Sequence, residues 1–146
     1  MINILYIHGF ISSPFSYKAQ QTQSFLTEKF PDITYHCPQL DVSPKVAIKQ
    51  LVNLITSLPD QQWYLIGSSL GGFYANYLVE QYGVRAVLVN PAVRPYELLS
   101  DYIGEQKSYH NDQVVNVKAC FMNELKDIEK QVLLKKNYLV MLLSHL

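Results

Sequence analysis

An apolar run, Trp63 to Ile66, stops on Gly67-Ser68-Ser69-Leu70-Gly71-Gly72 and passes at once into a helical pattern from Phe73 to Tyr82. The first segment reads as a buried strand, and Gly83 stands where a helix ends in a left-handed residue. No linker separates the two. The chain must therefore turn from strand to helix within a few residues, and glycine beside the turning residue is what lets two backbones come that close. This junction commits its surroundings to a strand-turn-helix unit, and the rest of the chain repeats the pattern.

Ile2 to Ile7 reads as a strand buried on both faces, stopping at His8-Gly9. Ser16 caps a helix carrying Phe25, Leu26 and Phe30, which Pro31 ends. Ile33 to Cys37 is a second strand. Ser43-Pro44 places an N-cap and a proline at the start of a helix with Ala47, Leu51, Leu54, Ile55 and Leu58 at helical spacing, closed by Pro59. Arg85 to Val89 is the fourth strand, followed by the loop Asn90 to Pro95 and a short helix to Ile103 that ends at Gly104. Glu105 to Gln113 reads as polar loop. From Val114 to Lys136 we expect a short irregular segment and then a helix carrying Leu125, Ile128, Val132 and Leu133, with a last strand over Tyr138 to Leu143.

Strands alternating with helices predict right-handed βαβ units, that is, an α/β fold with three layers and a doubly wound parallel sheet. The expected spatial order is second-first-third-fourth-fifth, with the winding reversing between the first and third strands. Ligands of such sheets bind beyond the carboxyl ends at that reversal. The loop His8-Gly9-Phe10 and the segment Gly67 to Gly72 are expected side by side there.

Composition narrows the partners. The 146 residues, 49% hydrophobic and 16% charged, fit one core-rich domain over 1–146 and exclude a disordered tail. Twelve basic against twelve acidic residues give a net charge of +0, which argues against nucleic acid or an anionic membrane as partner. The N-terminus has no basic region ahead of its short apolar run, and Tyr138 to Leu143 falls far short of the ~20 apolar residues of a membrane span. A cytoplasmic location is expected. Cys37 and Cys120 form no CxxC pair and read as reduced core residues. A zinc site is not expected.

Gly67-Ser68-Ser69-Leu70-Gly71 fits G-x-S-x-G, the nucleophile elbow, and stands in the required strand-to-helix slot. Ser69 is then expected to project its hydroxyl into the cleft from a strained backbone, with the Leu70 N–H at the helix start facing a developing oxyanion. The Phe10 N–H is the expected second donor, with Gly9 keeping the backbone close to substrate. His8 reads as a brace for its loop rather than a base. Of the 6 glycines, Gly9, Gly67, Gly71 and Gly72 stand in these two loops. The plain alternative is a glycine-lined structural turn. A phosphate-binding loop is a further one, but G-x-G-x-x-G and Gly-Lys-Ser/Thr are both missing.

His8-Gly9-Phe10-Ile11-Ser12-Ser13-Pro14, Gly67 to Gly72 with Tyr74-Ala75, and Asn90-Pro91-Ala92-Val93-Arg94-Pro95 with Glu97-Leu98-Leu99 resemble the YqiA/YcfP family of small α/β-hydrolase esterases. The resemblance implies an α/β-hydrolase fold, Ser69 as nucleophile, an oxyanion hole at Phe10 and Leu70, and hydrolysis of small carboxylic esters with short acyl chains. It implies no cofactor. It also implies a triad acid in a Gly-Asp segment and a base in a later Asn-His segment, beyond the strand at Asn137 to Met141. This sequence reaches Leu146 without either, so a C-terminally shortened domain lacking the last strand and helices is expected, with impaired activity and self-association through an unpaired sheet edge. Stand-ins are His110, with Asp101 or Asp112 to orient it, and His145 with Asp112 or Asp127. His145 would lie about 10 Å away across two strand spacings. His36 reads as a half-buried strand residue, Arg94 as a loop ion pair, and Tyr17, Tyr74 and Tyr77 as packing residues able to line a pocket. A binding protein that keeps the cleft without catalysis is the rival from another class.

Overall fold

The computed structural model describes residues 1–109, 112–132 and 140–143. β1 (Ile2–Ile7) leads into α1 (Tyr17–Lys29), β2 (Thr34–His36), α2 (Pro44–Ser57), β3 (Gln62–Ser68), α3 (Leu70–Tyr82), β4 (Arg85–Val89) and α4 (Pro95–Leu99). A single 3-10 turn, β5 (Gly104–Lys107), β6 (Val114–Val117), α5 (Cys120–Val132) and β7 (Val140–Leu143) follow. Five strands form a parallel sheet in the order β2-β1-β3-β4-β7, the order expected from the sequence. The fold is that of the α/β hydrolases, with β1 and β3 adjacent at the reversal.

The helix starts are local. The Ser16 side chain accepts from the Ala19 N–H at 3.3 Å, and Ser43 does the same for Val46 at 3.4 Å with Pro44 at the first helical position. Reversal of the winding after β2 sends right-handed crossovers to opposite faces, α1 to one and α2, α3 and α5 to the other. The core lies on the second face: Leu5, Ile7, Trp63, Leu65 and Leu88 of the sheet pack on Leu51, Ile55, Leu78, Val79, Leu125 and Ile128. Burial alternates along β3 and β4, where Tyr64, Ile66, Val87 and Val89 are half-buried toward the other side.

Two expectations need correction. Glu105 to Gln113 is not simply loop, nor is the start of the next segment irregular, because β5 and β6 form an antiparallel hairpin in register Gly104↔Val117. Backbone pairing holds it, and β5, Gly-Glu-Gln-Lys, has no apolar side chain, so hydropathy alone does not reveal that strand. Cys120 is exposed at the first residue of α5, and Cys37 is only half-buried; burial still pushes the Cys37 thiol up to about 11. Phe25 of α1 and Phe30 at its C-cap are exposed and contact each other edge-on, and Ala19 is the helix's buried residue. Leu133 lies outside the described residues.

Candidate active site at the carboxyl ends of the strands

Ser69 occupies the one residue between β3 and α3, with φ 55° and ψ −118°. An L-residue in that region costs of order 1–3 kcal/mol, so the surroundings must hold it there. They do so from both sides. The Ser69 N–H donates to the Val89 carbonyl at 3.1 Å, and the Ser69 carbonyl accepts from Ala92 and Gly72 at 2.9 Å each. The glycines make the turn possible. A Cβ on Gly67 would run into the Gly71 carbonyl and come within 2.7 Å of the Gly72 Cα; one on Gly71 would strike the Ile7 carbonyl. Ser69 is exposed, and its side chain makes no capping bond to its own helix.

Strain is concentrated at this edge of the sheet. Among the described residues the non-glycine positions with positive φ are Ile11 (44°), Ser69 (55°), Asn90 (51°) and Arg94 (49°), in the loops after β1, β3 and β4. These loops surround a cavity of about 560 Å³ with Ser69, Gly9, Phe10 and Leu70 in its wall. A Cβ on Gly9 would lie 4.0 Å from the Ser69 hydroxyl, so glycine keeps the space in front of it open. Neither the Phe10 N–H nor the Leu70 N–H has a protein acceptor among the described residues.

His8 is buried against this loop, and its ring is engaged at both nitrogens. Nε2 accepts from the Leu40 N–H at 3.0 Å, and Nδ1 lies 2.9 Å from the Gly9 carbonyl. Gln39 Nε2 also lies 3.4 Å from the His8 Nε2. His36 bonds Asn3 through Nε2 at 2.9 Å and lies against Trp63, and burial lowers its pKa. Arg94 reaches Glu97 at 3.8 Å, an exposed pair. Tyr17 lines the Ser69 cavity, whereas Tyr74 is buried and borders a second cavity behind the Phe10 loop, and Tyr77 donates to Gln131. Asp112 is exposed between β5 and β6 and does not line the Ser69 cavity; Asp101 is exposed, and Asp127 faces Lys130 at 3.9 Å. His110 and His145 lie outside the described residues.

The sequence reading missed part of the wall. Tyr6, Tyr102 and Tyr109 also line the cavity, with Tyr102 edge-on to Phe10 at 5.7 Å between ring centres. Tyr6 stands in an apolar strand, where nothing local separates a wall residue from a core residue. Tyr109 arrives through the hairpin, whose Tyr109 N–H donates to the Ile11 carbonyl at 3.2 Å.

A model of the uncharacterised protein family UPF0227 matches residues 3–145. The chain belongs to the UPF0227 family. Among its relatives, a UPF0227 protein of Pectobacterium atrosepticum is 30% identical over 107 residues, 73% of this chain and 59% of the relative. One from Shewanella woodyi is 24% identical over 139 residues, covering 92% of this chain and 74% of the relative. The chain spans about three fifths of the length of the first of these. Two solved structures carry the same fold. A putative hydrolase from Agrobacterium vitis aligns with TM-score 0.70 at 11% identity over 99% of this chain and 80% of its own. A metagenome-derived protein from a study of the lipolytic enzymes LipS and LipT aligns with TM-score 0.65 at 18% identity, over 98% and 71%. Among the described residues of this UPF0227 member, no group of His, Cys, Asp or Glu is placed to hold a metal ion, and no helix is long and apolar enough to cross a membrane.

Proposed function

We propose that this UPF0227 protein is a serine hydrolase that cleaves small carboxylic esters through an acyl-enzyme on Ser69. One observation carries the reading: an exposed hydroxyl on a strained strand-to-helix turn faces a cavity walled by two residues whose amides have no protein acceptor. In the proposed reaction the Ser69 Oγ forms a bond to the ester carbonyl carbon, and the carbonyl oxygen takes up negative charge between the Phe10 and Leu70 N–H groups. Collapse of that intermediate breaks the bond to the alcohol, and water then releases the acid. The Ser69 proton needs an acceptor. His8 does not supply it, because both ring nitrogens are committed, so the base comes from outside the described cavity wall; His110, oriented by Asp112, remains the proposed stand-in. The hydrolase and lipolytic labels of the structural relatives agree with this chemistry.

A fluorophosphonate probe is expected to attach to Ser69 of the 146-residue chain and to leave Ser69→Ala unlabelled. No labelling of the folded protein overturns the reading. The lack of a free imidazole in the described wall favours a second reading, a binding protein that keeps the cleft. Tight ester binding without turnover, unchanged in Ser69→Ala, would establish it.

A further inference from the structure

Resting on the reading of the Phe10 N–H as an oxyanion donor, we propose that His8 is the positioning residue that aims it. The His8 tautomer follows from its partners. A backbone amide can only donate, so the Nε2 that accepts from Leu40 at 3.0 Å carries no proton. The proton of the neutral ring is on Nδ1 and is donated to the Gly9 carbonyl at 2.9 Å. That oxygen also accepts the Ser12 N–H at 3.2 Å, closing a four-residue turn.

The peptide group transmits this restraint. In a trans peptide the carbonyl oxygen of Gly9 and the amide hydrogen of Phe10 lie in one plane and point in opposite directions within it, and no peptide bond among the described residues is cis. A ring that holds the oxygen therefore sets the direction of the hydrogen. Sequence alone does not set it. Gly9 leaves both adjoining dihedrals free, and the turn carries Ile11 at φ 44°, a branched residue in a region it rarely adopts. The far end of the turn is clamped by Tyr109 N–H and Ser108 Oγ on the Ile11 carbonyl, at 3.2 and 3.3 Å. With the His8 bond removed, the Gly9–Phe10 peptide is free to rotate about the Gly9 dihedral, which turns the Phe10 hydrogen away from Ser69.

Three substitutions separate this role from simple packing. His8→Ala removes the bonds to Gly9 and Leu40 together with the 3.4 Å contact from Gln39. His8→Asn keeps a donor near the Nδ1 position, and His8→Gln keeps an acceptor near Nε2 for Leu40. Loss of one oxyanion donor costs about 10²–10³ in rate. Fluorophosphonate labelling of Ser69 should thus slow by roughly a hundredfold in His8→Ala and His8→Gln, and His8→Asn should recover at least about tenfold of it, with melting temperatures recorded for all. In NMR spectra the Gly9 carbonyl carbon and Phe10 amide nitrogen signals should move in His8→Ala and return toward the parent positions in His8→Asn. Folded His8→Ala that labels as fast as the parent overturns the proposal, and so do unchanged Gly9 and Phe10 signals. If the parent chain itself takes no label, the Ser69 reading fails on its own, and the NMR comparison alone decides the role of His8.

Discussion

The two halves of the candidate site are held in place by different physics. After β3, the turn is fixed by exclusion: Gly67 and Gly71 stand where any side chain would strike neighbouring backbone, and the hydrogen bonds of Ser69 run to residues pressed against it. After β1, no such crowding exists, since a Cβ on Gly9 would meet Ser69 at an ordinary 3.5 Å. That loop is held by hydrogen bonds, from its own His8 ring, which Leu40 anchors across 32 residues, and from the β5–β6 hairpin. The comparison teaches that one wall of an active-site cleft can be rigid by local sterics while the facing wall depends on contacts far away in sequence.

The largest expected effect breaks the crowded half. Gly71→Val would drive a branched side chain into the Ile7 and His8 carbonyls, so destabilisation above the ~1–3 kcal/mol of ordinary overpacking is expected. Urea unfolding checks it, and a stability within about 1 kcal/mol of the parent would contradict steric control. Gly9→Ala, tested the same way, should cost far less, because its Cβ finds normal contacts; its effect should show instead in slower labelling of Ser69. Next in size is Ser69→Gly, which removes the strain of φ 55° and should stabilise the fold by roughly 1 kcal/mol while abolishing labelling. A destabilised Ser69→Gly would mean that the serine side chain, not the turn, holds the junction.

Smaller effects calibrate the surroundings. Ser16→Ala and Ser43→Ala each lose a cap and should cost about 1 kcal/mol. Ser43 should be the more costly, since its hydroxyl also bonds the Glu124 carboxylate at 3.2 Å. The smallest concerns pH. Burial lowers the His36 pKa, so the unfolded chain binds a proton more readily than the folded one, and stability should decline as pH falls below about 6.5. His36→Gln should flatten that slope in melting curves between pH 7 and pH 5, whereas a slope unchanged by the substitution would assign it to another group.

The capped starts of α1 and α2 and the Gly-x-Ser-x-Gly turn were legible in the sequence because each rests on neighbours within a few residues: a serine and the amide three positions on, a proline at a helix start, a glycine beside a bend; the order of the parallel strands followed from the alternation of elements and the handedness of their crossovers. The hairpin was not, because β5, Gly-Glu-Gln-Lys, carries no apolar side chain and is joined to β6 by backbone bonds, and such a strand leaves little trace in hydropathy. Helical phase and the outer position of α1 leave Phe25 and Phe30 in solvent, which the sequence does not show.

By itself the sequence determined the sheet, the helices that wrap it and the bend at Ser69, because these follow from local sterics and periodicity. Only the tertiary structure decided that Leu40 and Gly9 share the His8 ring, that Tyr6, Tyr102 and Tyr109 wall the cavity, and that the hairpin clamps Ile11. The reason is distance along the chain: a hydrogen bond across 32 residues or a ring contact across 92 is set by how whole elements pack, and no local window contains it.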